Sequence, residues 1–113
     1  MKLLMISTDT KIFEEGSAVR ARMIDYAKNW NELHIIIFTK RRMGFTEKNI
    51  APNCWVYPTN SLSKWLYAFN AISLGRFIIQ QRNITNITCQ DPFLTTMAGI
   101  SLKKQFNIPL EIQ

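Results

Sequence analysis

The chain opens on an uninterrupted apolar run. Lys2–Ser7 carries Leu3, Leu4, Met5 and Ile6 and is bounded by polar residues, which predicts a short buried strand. Residues 8–16 are polar, with Asp9, Lys11, Glu14, Glu15 and Gly16, and read as a loop. Ser17 follows as a helix cap. Val19, Met23, Ile24, Ala27 and Trp30 then recur at helical spacing, so a helix is expected to about Asn29. Leu33–Thr39 is continuous and β-branched rather than alternating, which predicts a strand buried on both faces. Residues 40–53 are polar, contain Gly44 and Pro52, and read as a loop. Cys54–Tyr57 is a third strand ended by Pro58. Residues 61–81 suit a long helix with Leu62, Trp65, Leu66, Phe69, Ile72 and Ile79 near one face, widened by Phe77 and Ile78. Gly75 is its weak point. Residues 86–90 predict a fourth strand. Asp91 and Pro92 then open a helix, as cap and first residue. Phe93, Met97, Ile100 and Leu102 supply its apolar positions, and residues 109–113 begin a fifth strand.

Strands that alternate with helices predict an α/β fold: a doubly wound, Rossmann-like parallel sheet covered on both faces, with right-handed crossovers. The simplest strand order is 3-2-1-4-5. Its switch point lies between strands 1 and 4, where ligands of open α/β sheets bind beyond the carboxyl ends of the strands. Two loops meet there, residues 8–17 and residues 90–96.

Composition narrows the chemistry. The 113 residues are 47% hydrophobic, enough for one domain with a core, and no apolar run is long enough to span a membrane. The opening apolar run is too short for a signal peptide, so a cytoplasmic chain with reduced cysteines is expected. Fourteen Lys and Arg against eight Asp and Glu leave a net charge of +6, which suits an acidic lipid surface, nucleic acid or a phosphorylated ligand as well as plain solvation. Dinucleotide, P-loop and nucleophile-elbow glycine patterns are absent. The single histidine, His34, opens strand 2 and reads as structural, and no zinc-ligand spacing exists. Cys54 and Cys89 would sit three strand spacings apart, roughly 14 Å, too far for a disulfide. A receiver domain would need carboxylates clustered after strand 1, and only Asp9 is there. Two glycosylation sequons, at Asn83 and Asn86, have no secretory context.

The segment Gln90-Asp91-Pro92-Phe93-Leu94-Thr95-Thr96-Met97-Ala98-Gly99, continued by residues 102–113 (LKKQFNIPLEIQ), resembles the fourth-strand loop, helix and fifth strand of bacterial family-four glycosyltransferases of the GT-B fold. More weakly, Gly16-Ser17 before an amphipathic helix and the HIIIFT strand resembles that family's first loop, helix and second strand. Two departures stand out: Thr96 occupies a position often held by glycine, and Gly16 is followed by Ser17 rather than by a second glycine.

The resemblance implies the amino-terminal, acceptor-side half of a retaining glycosyltransferase of cell-surface polysaccharide biosynthesis. Such an enzyme uses a nucleotide-sugar donor, a glycan or lipid-linked acceptor and no bound metal. The donor site lies in a second domain beyond Gln113, so the chain alone is expected to be inactive, with a bare sheet edge that invites self-association. The residues it points to are Gly16, Ser17, Gln90, Asp91 and Thr95. Gly16 and the Ser17 N–H would meet a donor phosphate or an acceptor hydroxyl, or serve only as turn and cap. Asp91 would bind an acceptor hydroxyl or cap its own helix. The stretch with Trp65, Tyr67, Phe69, Arg76 and Phe77 would either pack on the sheet or rest on the inner face of a membrane carrying the acceptor. No nucleic-acid partner is expected, because no aromatic-bearing motif of an RNA-binding sheet is present.

Overall fold

A computed structural model describes residues 1–90 and 94–112. It contains β1 (Lys2–Ser7), α1 (Ala18–Ala27), β2 (Glu32–Ile37), β3 (Lys48–Ala51), β4 (Cys54–Pro58), α2 (Tyr67–Arg82), β5 (Asn86–Cys89), α3 (Leu94–Phe106) and β6 (Leu110–Ile112). The sheet order is β3-β4-β2-β1-β5-β6. All pairings are parallel except that of β3 with β4. The five expected strands therefore lie in the expected order, and the fold is α/β and Rossmann-like. What differs is β3, an added edge strand inside the segment read as loop. Lys48 and Asn49 are exposed and carry no strand pattern, so pairing with β4 is what makes this segment a strand. Asn49 Nδ2 donates to the carbonyls of Ala51 and Cys54 and holds the hairpin closed.

β2 is buried on both faces, with Leu33 to Ile37 at most 1% exposed. Its alternate side chains enter two separate cores. On one face Leu33, Ile35 and Ile37 join Val56 and Ala27, with Val19, Met23 and Trp30 of the α1 region packed against them. Ile12 and Phe13 add to this core. They belong to a 3-10 turn, Thr10–Phe13, in a stretch expected to be loop, and Phe13 stacks on Phe45 at 4.3 Å. Ser17 caps α1 as expected, accepting the Arg20 N–H. Asn53 Nδ2 closes the far end by donating to the carbonyls of Ala27 and Trp30.

The other face is covered by α2 and α3. A 3-10 turn, Lys64–Leu66, precedes α2, which starts later than expected. The buried row of α2 is Ala71, Gly75, Ile78 and Ile79. The expected apolar face is split instead: Ile78 and Ile79 are buried and Ile72 packs against the core, while Leu62 is 73% exposed, Trp65 80%, Phe69 73% and Phe77 61%. Small residues decide this orientation. A Cβ on Gly75 would lie 2.4 Å from Leu102 Cδ1, so the bare glycine lets α3 close onto α2. The same correction applies to α3, where Ala98 and Leu102 are buried while Met97 and Ile100 face out. The expected roles of Asp91, Pro92 and Phe93 fall outside the described residues. Cys54 and Cys89 are buried and lie three strand steps apart, with no disulfide between them.

Candidate functional site

At the switch point β5 runs alongside β1, and the Gln90 N–H donates to the Ile6 carbonyl at 3.1 Å. This places exposed Gln90 over a narrow crevice of about 30 Å³ whose polar lining is Ser7, Asp9, Arg22 and Gln90. That volume suits a single water, so a larger ligand would lie across its rim. Asp9 is locally engaged: its Oδ1 accepts the Lys11 N–H at 3.1 Å, and its own N–H donates to Ser7 Oγ at 3.3 Å. The sequence does not single out Asp9 and Arg22 as ligand-facing. Asp9 carries a signal, its place directly after strand 1. Arg22 carries none, because a cation on a helix is ordinarily solvated.

Among the sequence candidates, Gly16 has φ +76°, a left-handed conformation that disfavours any side chain. No atom lies within 4 Å of where its Cβ would sit, so the space above it is open. Ser17 is fully committed. Its N–H donates to the Glu14 carbonyl at 3.3 Å, and its Oγ donates to the Lys11 carbonyl at 2.8 Å while accepting from Arg20. Of the roles expected for Ser17, the structure shows the turn and the cap, with its N–H taken by the Glu14 carbonyl. Thr95 is fully buried, and its carbonyl accepts from Cys89 Sγ at 3.3 Å, so it presents no surface to the crevice. Asp91 lies outside the described residues. The structure thus brings Gln90 to the crevice and leaves Thr95 buried outside its lining.

A larger concavity, about 610 Å³, opens at the same end of the sheet but away from the switch point, between the loops after β2 and β4. It is lined by Lys40, Arg41, Arg42, Leu62, Ser63, Lys64 and Trp65. A buried polar network fixes the two loops. The Thr39 N–H donates to Thr59 Oγ1 at 2.9 Å, and Thr59 Oγ1 donates back to the Thr39 carbonyl at 3.1 Å. Ser61 Oγ donates to Asn70 Oδ1 at 2.6 Å, and the Arg41 N–H to the Ser61 carbonyl at 2.9 Å. In the sequence these residues share no signal, since a network between distant segments leaves no local pattern.

A third cluster closes the opposite end of the sheet. His34 is fully buried, with Nε2 2.8 Å from Glu32 Oε1 and Nδ1 2.6 Å from the Tyr57 hydroxyl. A neutral ring donates from Nε2 to the carboxylate and accepts the Tyr57 O–H at Nδ1. Trp55 stacks on His34 at 4.8 Å, and Arg82 lies 4.6 Å over Trp55. Arg82 and Lys2 each stand 3.7 Å from Glu32. Burial lowers the His34 pKa more than the Glu32 hydrogen bond raises it. Burial alone would raise the Glu32 carboxyl, but the His34 hydrogen bond and the charges of Lys2, His34 and Arg82 outweigh it and hold it low. Burial pushes the Cys54 thiol up to about 12, which removes it as a nucleophile.

Among the described residues no group of three or more His, Cys, Asp or Glu could hold a metal, and no helix is long and apolar enough to cross a membrane. No protein-family model matches the chain. No curated protein matches it either. Two crystal structures of the C-terminal domain of PF1911 hydrogenase from Pyrococcus furiosus share its fold. One, residues 83–215, superposes with TM-score 0.68 at 14% identity, covering 99% of this chain and 90% of that one. The other, residues 78–226, gives 0.61 at 15% identity, covering 99% and 89%. At such identities the likeness is one of fold.

Proposed function

We propose that this chain is the acceptor-side domain of a retaining glycosyltransferase that moves a sugar from a nucleotide-sugar to a glycan or lipid-linked acceptor. One observation carries the reading. The segment that resembles family-four glycosyltransferases is the one that runs from Gln90 through α3 into β6, and Gln90 stands at the switch point beside Asp9 and Arg22. Asp9 and Gln90 can accept hydrogen bonds from acceptor hydroxyls, and Arg22 adds a positive charge at the rim. Transfer needs donor and acceptor held in one geometry, and that positioning supplies much of the rate. The donor would be held by a second domain, and metal is not required of the residues present.

The test is to supply residues 1–113 with a panel of nucleotide-sugars, measure nucleotide release, and map acceptor-sugar binding by NMR. The expected result is no release, with acceptor-induced shifts at Asp9 and Gln90. The same residues joined to the downstream reading frame should transfer sugar, and Gln90→Ala should slow that transfer about tenfold, the loss of one hydrogen bond at about 1.4 kcal/mol. Turnover by a monodisperse, monomeric 113-residue chain would sink the reading. A second reading, a noncatalytic ligand-binding or membrane-peripheral α/β module, is favoured by the size of the basic cleft relative to the switch-point crevice. A downstream frame without a second α/β domain would select it.

A further inference from the structure

The cations and aromatics at the carboxyl end of the sheet are displayed rather than consumed. Lys40, Arg41, Arg42 and Lys64 ring the 610 Å³ cleft, and its lining contains no carboxylate among the described residues. Trp65 stands at its edge at 80% exposure and Leu62 at 73%, with Lys64 Nζ 5.2 Å from the indole centroid. Four residues beyond Trp65, Phe69 is 73% exposed and shares an apolar groove with Ala68, Ile72 and Met97. Tyr67, between them, turns inward and stacks on Phe38 at 5.1 Å. The protruding residues are thus a tryptophan, a leucine, a phenylalanine and a methionine, beside four cations and a cleft without an acidic lining. The Thr39–Thr59 and Ser61–Asn70 hydrogen bonds hold both loops in place, so this surface does not depend on ordering by a ligand.

We infer that this surface docks peripherally on an anionic lipid bilayer, with Trp65, Leu62 and Phe69 entering the headgroup boundary and Lys40, Arg41, Arg42 and Lys64 contacting lipid phosphates. Tryptophan prefers that boundary because its ring is amphipathic, and exposed apolar side chains gain by leaving water there. Juxtaposed Lys and Arg are drawn to the negative surface potential. Charge complementarity decides the occupant: an apolar protein groove would match Phe69 and Met97 but leave four cations unmatched, whereas an anionic bilayer answers both halves of the surface. The docking surface is the 3-10 turn and the loop after β2, not the length of α2, since Phe77 and Arg76 lie about three turns further along. The inference rests on surface chemistry and goes beyond the sugar-transfer reading, so either can fail without the other.

The experiment is flotation of the full 113-residue chain with phosphatidylcholine vesicles, with and without phosphatidylglycerol, alongside tryptophan emission. Binding is expected only with phosphatidylglycerol, with a blue shift of emission that is lost in Trp65→Ser. Trp65→Ser should weaken partitioning about tenfold, and Arg41→Gln/Arg42→Gln/Lys64→Gln about a hundredfold, at about fivefold per cation. Raising salt from about 0.1 M to about 1 M should remove most of the binding. Phe77→Ser, an equally soluble change on the same helix, should leave it unaltered. All variants are at exposed positions, and unchanged melting curves confirm folding. No binding to anionic vesicles, an effect of Phe77→Ser equal to that of Trp65→Ser, or equal emission change with inorganic phosphate or a short oligonucleotide alone would each overturn the inference.

Discussion

The two ends of the sheet are built from the same kinds of side chain and put them to opposite uses. At the amino end Arg82 lies over Trp55, pairs with Glu32, and closes a cluster in which both His34 nitrogens have partners. At the carboxyl end Lys64 lies over Trp65, and the cleft beside it offers three more cations and, among the described residues, no carboxylate. The difference is one acidic residue and one buried ring. Glu32 at the start of β2 neutralises its neighbours, and His34 ties that carboxylate to the core. Where such a pair exists, basic and aromatic residues become structure. Where it is missing they remain available to an outside surface.

The sharpest test of this contrast is to remove the ring at the closed end. His34→Ala should cost about 3 kcal/mol in urea unfolding, because it opens a cavity and leaves the Tyr57 hydroxyl unpartnered in the core. The same measurement on Trp65→Ser should show a change within about 0.5 kcal/mol, as for an exposed site. Equal losses would erase the distinction between the two ends.

Acid should act at the closed end too. His34 titrates below its ordinary 6.5 in the fold, so the unfolded chain takes up a proton first and stability falls as pH drops below about 6.5. Glu32 is held below its ordinary 4.5, so its contribution is present above that pH and is lost further into acid. Both act in the same direction. In His34→Gln the decline between pH 6.5 and 4.5 should disappear in a denaturation series, and the Glu32 part below about pH 4.5 should shrink, since the imidazole no longer supports that carboxylate beside Lys2 and Arg82.

Smaller effects separate turn from ligand contact at Gly16 and Ser17. Gly16→Val should cost about 1–2 kcal/mol through its left-handed φ alone, and Gly16→Asn less, since asparagine tolerates that region. If transfer by the proposed two-domain enzyme falls with Gly16→Asn while thermal stability holds, the open space above Gly16 is used by a ligand. Ser17→Ala should cost about 1 kcal/mol as a lost cap, read by thermal unfolding. A much larger loss would mean that the double hydrogen bond of its hydroxyl organises the whole 10–17 loop.

Strand identity and order were legible because β1 and β2 are near-continuous apolar runs, the shorter strands alternate with helical segments, and short connections leave few ways to wind them. The Ser17 cap and the structural role of His34 were legible for the same local reason. The edge strand Lys48–Ala51 was not, since two apolar residues after Lys48 and Asn49 make no strand pattern and pairing with β4 makes it a strand. Nor was the orientation of α2. Periodicity marks apolar residues on a helix, but which of them meet the sheet depends on how closely the neighbouring helix approaches, and here Gly75 against Leu102 sets that distance. Trp65 and Phe69 face solvent as a consequence. Gln90 could be placed near the crevice from its position after a strand, whereas the burial of Thr95 and the N–H of Ser17, taken by the Glu14 carbonyl, are properties of packing and of a local turn. The chain's own pattern determined which segments pair and in what order, because hydrophobic burial is written residue by residue. Only the tertiary structure decided which polar and aromatic groups are satisfied internally, because that depends on partners distant in the chain.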